Sequence, residues 1–375
     1  LILLAHKAVA HVKVEGTGAI VMVDPKKDPE PEPKKDPEPK KDPEPKKDPP
    51  KIAANIEAKD VTHKVFTYKA NEAPLKHPAW APDGKSFFVL GRSGKLERIN
   101  AETGEVDKTH DFNRTFAQDV RLDITAEGLI LTSPDDRQIW IIDPENLGTV
   151  KKKLTVGDVS RTAVGFDSKF GMIAIRGKVQ TLRTIELDGT LGNPFPFKLQ
   201  AFNMRQSPDG KFLFFGDSGR ILRYKFDGQN IQFEEASPSV VTGASFLHMS
   251  PDGEYVCFAG GVLAPPPTYG ERGMYVYAAG DLKKPVATLT KIDPGRAVGI
   301  DTKGGWIYAN ETKKPLVIFG TNGARKGDFP LPVEPTQITE YIVSPLGSAF
   351  LIRTNTTVVH VKIAVQGPPI GVAAN

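Results

Sequence analysis

One short phrase recurs seven times between Trp80 and Gly347: an extended, partly apolar run that ends in a Pro-Asp-Gly-like turn. Three copies are plain, at Ala81-Pro82-Asp83-Gly84, Ser207-Pro208-Asp209-Gly210 and Ser250-Pro251-Asp252-Gly253, and Ser344-Pro345-Leu346-Gly347 is a close fourth. Degenerate copies end at Gly128, Gly171 and Gly304. Proline presets φ in such a turn, aspartate closes it through its side chain, and glycine takes the left-handed backbone that a side chain resists. Successive turn glycines are 44, 43, 39, 43, 51 and 43 residues apart. A period near 43 with strand-like text between the turns is the signature of propeller blades, small sheets that bury their faces only by packing on neighbours.

Alternating apolar positions bounded by glycine turns read as half-buried antiparallel strands. The first blade has Ser86–Leu90 and Leu96–Asn100 around Gly91-Arg92-Ser93-Gly94; the fourth repeats this with Lys211–Phe215, Gly216-Asp217-Ser218-Gly219 and Ile221–Phe226. No segment carries a helical period of ten or more residues. After Gly347 there is room only for Ser348–Arg353 and Thr357–Ile363, so the last blade lacks a strand, while Val61–Lys69 (VTHKVFTYK) is a spare one. The expected fold is therefore an all-β, seven-bladed propeller of four-stranded blades over 52–364, its ring closed by that N-terminal strand pairing with the last blade and leaving no open edge. A tail, 365–375, follows.

The 375 residues contain one cysteine, Cys257, which excludes an intrachain disulfide and a multi-cysteine metal site. Cys257 lies in the apolar run Glu254–Phe258 and reads as a buried thiol. Residues 24–50, DPKKDPEPEPKKDPEPKKDPEPKKDPP, carry proline every two to four positions, which denies both helix and sheet and favours polyproline II. At roughly 3.1 Å per residue, a linker over 24–51 is a spacer reaching up to about 80 Å. The net charge is +4 and this tract contributes −1 of it (eight Lys against nine Asp and Glu), so the remainder is too mildly basic to argue for nucleic acid. In segment 1–23, Leu1-Ile2-Leu3-Leu4-Ala5 reads as the end of a signal peptide or of a membrane span, and Val9–Glu15 with Ala19–Val23 as a hairpin.

The stretch His77-Pro78-Ala79-Trp80-Ala81-Pro82-Asp83-Gly84-Lys85 resembles the repeat of TolB-like and WD40-like β-propellers, and the copies at Ser207 and Ser250 follow the same pattern. The resemblance spans Val61 to Ile363. The Trp-Asp dipeptide that ends WD40 blades is missing, which places the likeness on the TolB side. It implies a docking role, and the spacer ahead of the propeller is similar to those of bacterial envelope proteins, an analogy of organisation.

Motifs for catalysis are sparse. Gly216-Asp217-Ser218-Gly219 resembles the serine motif of trypsin-like proteases, yet it occupies the same strand-to-strand turn as Gly91-Arg92-Ser93-Gly94. There is no Gly-x-Ser-x-Gly elbow, and Gly84-Lys85-Ser86 lacks the upstream glycine of a phosphate loop. The seven histidines show no ligand spacing. Inner strands converge on a propeller's channel, so His77 and His248 could meet Asp119 or Asp123 there; the positions counted as equivalent in other blades, Val164, Asn203 and Ala297, argue against a metal.

Two surface features stand out. The turn between second and third strands carries a cation in every blade: Arg92, Arg137, Arg176, Arg220, Arg272, Lys313 with Lys314, and Arg353. In a propeller these turns share one face, a candidate basic ring for an anionic partner. The 51-residue interval reflects one insertion, Gly260–Gly273, in which Pro265, Pro266 and Pro267 stiffen a loop tipped by Tyr269 and Arg272, residue types of interface hot spots. The sequence thus predicts a monomeric, non-enzymatic binding propeller without cofactor or metal. It would dock a protein or an anionic surface polymer outside the cytoplasm, any membrane tether lying upstream. A channel enzyme of the lactonase, hydrolase or lyase kind and the sensor end of a larger membrane protein are the alternatives.

Overall fold

The computed structural model describes residues 2–5, 8–14, 20–22 and most of 60–364, the longest interruptions being 196–203, 264–271 and 291–298. The spacer over 24–51 and the tail over 365–375 lie outside the described residues. The chain divides into two compact units, Leu1–Pro49 and Pro50–Asn375. The first contains an antiparallel sheet of Ile2–Ala5, Ala8–Val14 and Ile20–Met22 in that order. The expected hairpin forms, with Val12 opposite Met22 and Val14 opposite Ile20, and Leu3 and Leu4 pair with Ala10 and Val9 as an additional strand. A lone hairpin is marginal in water, and an adjacent apolar run is the natural third member.

The second unit is a β-propeller of small antiparallel sheets, numbered here in chain order: sheet 1 (79–111), sheet 2 (121–155), sheet 3 (159–195), sheet 4 (204–236), sheet 5 (241–290), sheet 6 (299–329) and sheet 7 (340–363). Two short 3₁₀ turns, Ala70–Glu72 and Pro335–Gln337, are the helical elements among the described residues. The expectation of seven four-stranded blades is corrected to six, because sheet 5 has five strands. Its longest strand, Tyr255–Leu263, runs nine residues, and its pairing with Arg272–Ala278 shifts register between Ala259 and Val262. Beyond that shift it outreaches Phe246–Met249 and pairs with Val241–Thr242 instead. In sheet 7, Val61–Thr67 pairs antiparallel with Thr357–Ile363, from Thr67 opposite Thr357 to Val61 opposite Ile363. The first strands of successive sheets are neighbours, with Phe246–Met249 taking that place in sheet 5, and Glu340–Val343 of sheet 7 lies beside Ala79–Trp80 of sheet 1.

The repeated turns take the conformation that their residues dictate. Gly84, Gly210, Gly253 and Gly347 have φ of 64°, 75°, 76° and 78°, and each donates its N–H to the carbonyl three residues back. Ser207 and Ser250 hydroxyls donate to Asp209 and Asp252, both at 2.7 Å, and accept the N–H groups of Phe212 and Tyr255. A Cβ on Gly253 would run into the ring of Pro208, and one on Gly84 into Leu346, so turns of neighbouring sheets nest against each other. Gly253→Ala combines that collision with a left-handed backbone and should cost at least about 1–2 kcal/mol, read as a lowered chemical-denaturation midpoint.

The core lies between the sheets, where Phe87, Phe88, Phe214, Phe258, Tyr308 and Phe350 are fully buried. Charged brackets tie sheets at their outer edge. Arg98 of sheet 1 holds Asp107 on its own outer strand and Glu145 of sheet 2, at 3.0 and 2.8 Å. Arg223 of sheet 4 repeats the arrangement, holding Glu234 and donating to the Ala279 carbonyl of sheet 5 at 2.6 Å. Outer strands are polar, as in Val150–Thr155, where Lys151, Lys152 and Lys153 are exposed; lysines on such an edge oppose strand addition.

Candidate functional site

Strand periodicity positions the site. Successive side chains of an inner strand alternate between the interface separating sheets and the central channel. In Arg121–Thr125, Leu122 and Ile124 are buried while Arg121 and Asp123 are partly exposed. Met204 and Gln206 are buried on either side of a partly exposed Arg205. His248 follows the buried Leu247, and Glu340 precedes the buried Tyr341. The result is a cavity of about 270 Å³ whose lining includes His77, Arg121, Asp123, Arg205 and His248, with Ala79, Met249 and Ile342 among its apolar members.

Behind one wall, a network across sheets 7 and 1 anchors the lining residue His77. Glu340 accepts from the Arg353 Nε at 2.7 Å, a cross-strand pair set by register, and from the His77 backbone N–H at 3.0 Å. Its other oxygen is 2.8 Å from His77 Nδ1. Burial alone would raise the Glu340 pKa, but His77 and Arg353 outweigh it and hold the carboxyl well below the usual range. The Trp80 indole N–H donates to the Ile342 carbonyl at 2.9 Å across the same seam.

The opposite wall is less satisfied. Arg205 donates to the Met204 carbonyl at 3.0 Å, and among the described residues no ion pair involves it. Burial, and then the like charge of Arg121, lower its pKa. His248 Nε2 is buried without a hydrogen-bond partner. Burial and the neighbouring Arg205 push the His248 pKa down to about 3, so its imidazole is neutral at physiological pH. Behind it, Cys257 stands opposite His248 in the sheet, fully buried as expected, and burial pushes its thiol up to about 12.

The sequence-derived candidates separate into groups. His77, Asp123 and His248 line one cavity; Asp119 lies outside the described residues. Val164, Asn203 and Ala297 were the expected equivalent channel positions. The cavity instead takes Arg205 and Gly299 from sheets 4 and 6, while Asn203 and Ala297 lie outside the described residues. Among the described residues no group of three His, Cys, Asp or Glu has metal-binding proximity. Of the proposed basic ring, Arg92, Arg137 and Arg220 are exposed. Arg353 is a correction: it is 8% exposed and paired with Glu340, because strand register turns it inward. Arg272 begins the strand Arg272–Ala278, and Arg176 and Lys313 lie outside the described residues. So do Pro265, Pro266, Pro267 and Tyr269 of the insertion. The Gly216–Gly219 motif is a hairpin turn, Asp217 pairing with Arg220.

Arg121, Arg205 and Glu340 escaped the sequence reading. Their signal is a polar side chain at every second position of a short strand just before the turn, as in Arg121-Leu122-Asp123-Ile124 and Met204-Arg205-Gln206. No protein-family model matches this chain, and no curated protein matches it in sequence.

Proposed function

We propose that the chain is a non-enzymatic, TolB-like binding propeller, its ring closed through Val61–Thr67 on sheet 7, and that it takes its ligand in the central cavity. The observation that carries this reading is the convergence of Arg121, Asp123, Arg205 and His248 on one cavity. Charged side chains converging on one cavity beside a buried ring nitrogen without a hydrogen-bond partner, His248 Nε2, are the mark of a ligand site. A hydrolase or lyase reading is weaker. Glu340 is committed to three donors, and an imidazole with a pKa of about 3 is a poor general base at neutral pH. The spacer supports a place outside the cytoplasm, at the bacterial cell envelope, with the propeller held away from its anchorage.

A second contact surface has one observation in its favour: Arg92, Arg137 and Arg220 are all exposed at the turns between second and third strands. It would receive an anionic polymer or an acidic protein. A single experiment addresses both surfaces. Thermal-shift screening of the protein against small metabolites and dextran sulfate is expected to yield small-molecule hits that vanish in Ile342→Trp, which fills the cavity. Dextran sulfate binding is expected to survive Ile342→Trp and to vanish in Arg92→Glu/Arg137→Glu/Arg220→Glu. Hits that persist in Ile342→Trp with unchanged strength would place the ligand elsewhere.

A further inference from the structure

Resting on the cavity as the ligand seat, we propose that its ligand is a small monocarboxylate with an apolar body, the carboxylate lying between the Arg205 and Arg121 guanidinium groups and within reach of His248 Nε2. Three observations lead there. The two arginines come from different sheets yet face one cavity of about 270 Å³, close enough for their charges to oppose each other. Like charges brought together in a confined space, one of them hydrogen-bonded among the described residues to a backbone carbonyl, are relieved by an anion. His248 Nε2 is a neutral ring nitrogen without a partner at the same wall and, in the Nε2–H tautomer, supplies a donor.

Charge count and shape narrow the class. Arg121 and Arg205 bring two positive charges and Asp123 one negative, while Glu340 is engaged with Arg353 and His77. Among the described residues the surplus is one positive charge, which suits a monoanion better than a phosphate dianion. The guanidinium fork matches the planar carboxylate in a bidentate manner. Ala79, Met249 and Ile342 offer an apolar surface to the rest of the molecule.

The test uses the full chain with phenylacetate, phenylacetamide and inorganic phosphate as probes, titrated calorimetrically beside the small-molecule hits of the thermal-shift screen. Phenylacetate should bind at least about tenfold more tightly than the amide of the same shape, phosphate should not compete with it, and the screen hits should carry a carboxylate. Arg205→Gln and Arg121→Gln should each weaken phenylacetate roughly 10- to 100-fold, the loss of a hydrogen-bonded charge contact. Arg205→Gln should also melt at an equal or higher temperature without ligand, since it removes the like charge facing Arg121; a merely structural arginine would lower it. Equal affinity for phenylacetamide, tighter binding of phosphate, or hits that are neutral or cationic yet still sensitive to Ile342→Trp would overturn the monocarboxylate and leave the cavity seat standing. If no small molecule binds in a manner sensitive to Ile342→Trp, both fall.

Discussion

A chain lacking residues 1–68 is expected to lose cooperative unfolding and to associate in solution, whereas one lacking 1–57 should remain monomeric with an intact melting transition. The longer deletion strips Val61–Thr67 from Thr357–Ile363 and leaves that strand as a bare edge. Val358, Val359 and Val361 on it are fully buried, and the removed segment also takes away Phe66, whose ring meets that of Phe87 at 5.8 Å. Losing a seven-residue ladder at about 1 kcal/mol per hydrogen bond is worth on the order of 5 kcal/mol, a large part of the stability of a single domain. An uncovered valine-rich edge then recruits a second chain. Size-exclusion chromatography of the two deletions side by side decides the matter; a monomeric, cooperatively melting 69–375 chain would show that the pairing contributes little.

Glu340→Ala carries the second large effect. It leaves Arg353, 8% exposed, without its carboxylate and removes the acceptor for both the His77 backbone and its ring. Breaking a buried pair from one side costs about 3–5 kcal/mol, because the surviving charge is stranded. The double variant Glu340→Leu/Arg353→Met should recover part of that loss, and failure to recover any would mean that the His77 contacts dominate. The same carboxylate makes stability pH-dependent. Its folded pKa lies well below the unfolded value of about 4.3, so its contribution is complete above about pH 5 and disappears as pH falls through the depressed folded value. Glu340→Gln should flatten the acid limb of the stability profile measured by urea denaturation between pH 5 and pH 3.

The propeller was legible because its turns are local. Ser-Pro-Asp-Gly specifies its own hydrogen bonds within six residues, so each copy announces a strand pair wherever it stands. Val61–Lys69 could likewise be recognised as a strand in search of a partner, since its alternation is local even though its partner is almost 300 residues away. What could not be read depends on register. Arg353 follows an apolar strand as Arg220 precedes one, and only the pairing of Glu340 with Arg353 distinguishes a buried ion pair from a surface cation. The fifth strand of sheet 5 depends on how far Tyr255–Leu263 runs past Phe246–Met249, which a pairing shows and a single strand's sequence does not. The channel was half legible: His77, Asp123 and His248 were chosen for their chemistry, but the position taken as equivalent in the fourth blade, Asn203, lies two residues from Arg205. Arg205 stands five residues before its turn glycine, as do Asp123, His248 and Gly299, a shared spacing that shows only once the strands are paired.

The antiparallel match of Val61 with Ile363, continued by the Ala364 N–H donating to the Asp60 carbonyl at 2.6 Å, sets the entry and exit points of the propeller side by side. The order in which the sheets follow along the polypeptide is then a matter of genetic layout more than of mechanics. A circularly permuted chain, with 60 and 364 joined by a few residues and new ends opened at an exposed turn such as Asn100–Glu105, preserves every inter-sheet contact described above. The same adjacency means that cargo fused at either end departs from one corner of the propeller, leaving both the cavity and the exposed arginine turns available to a second partner.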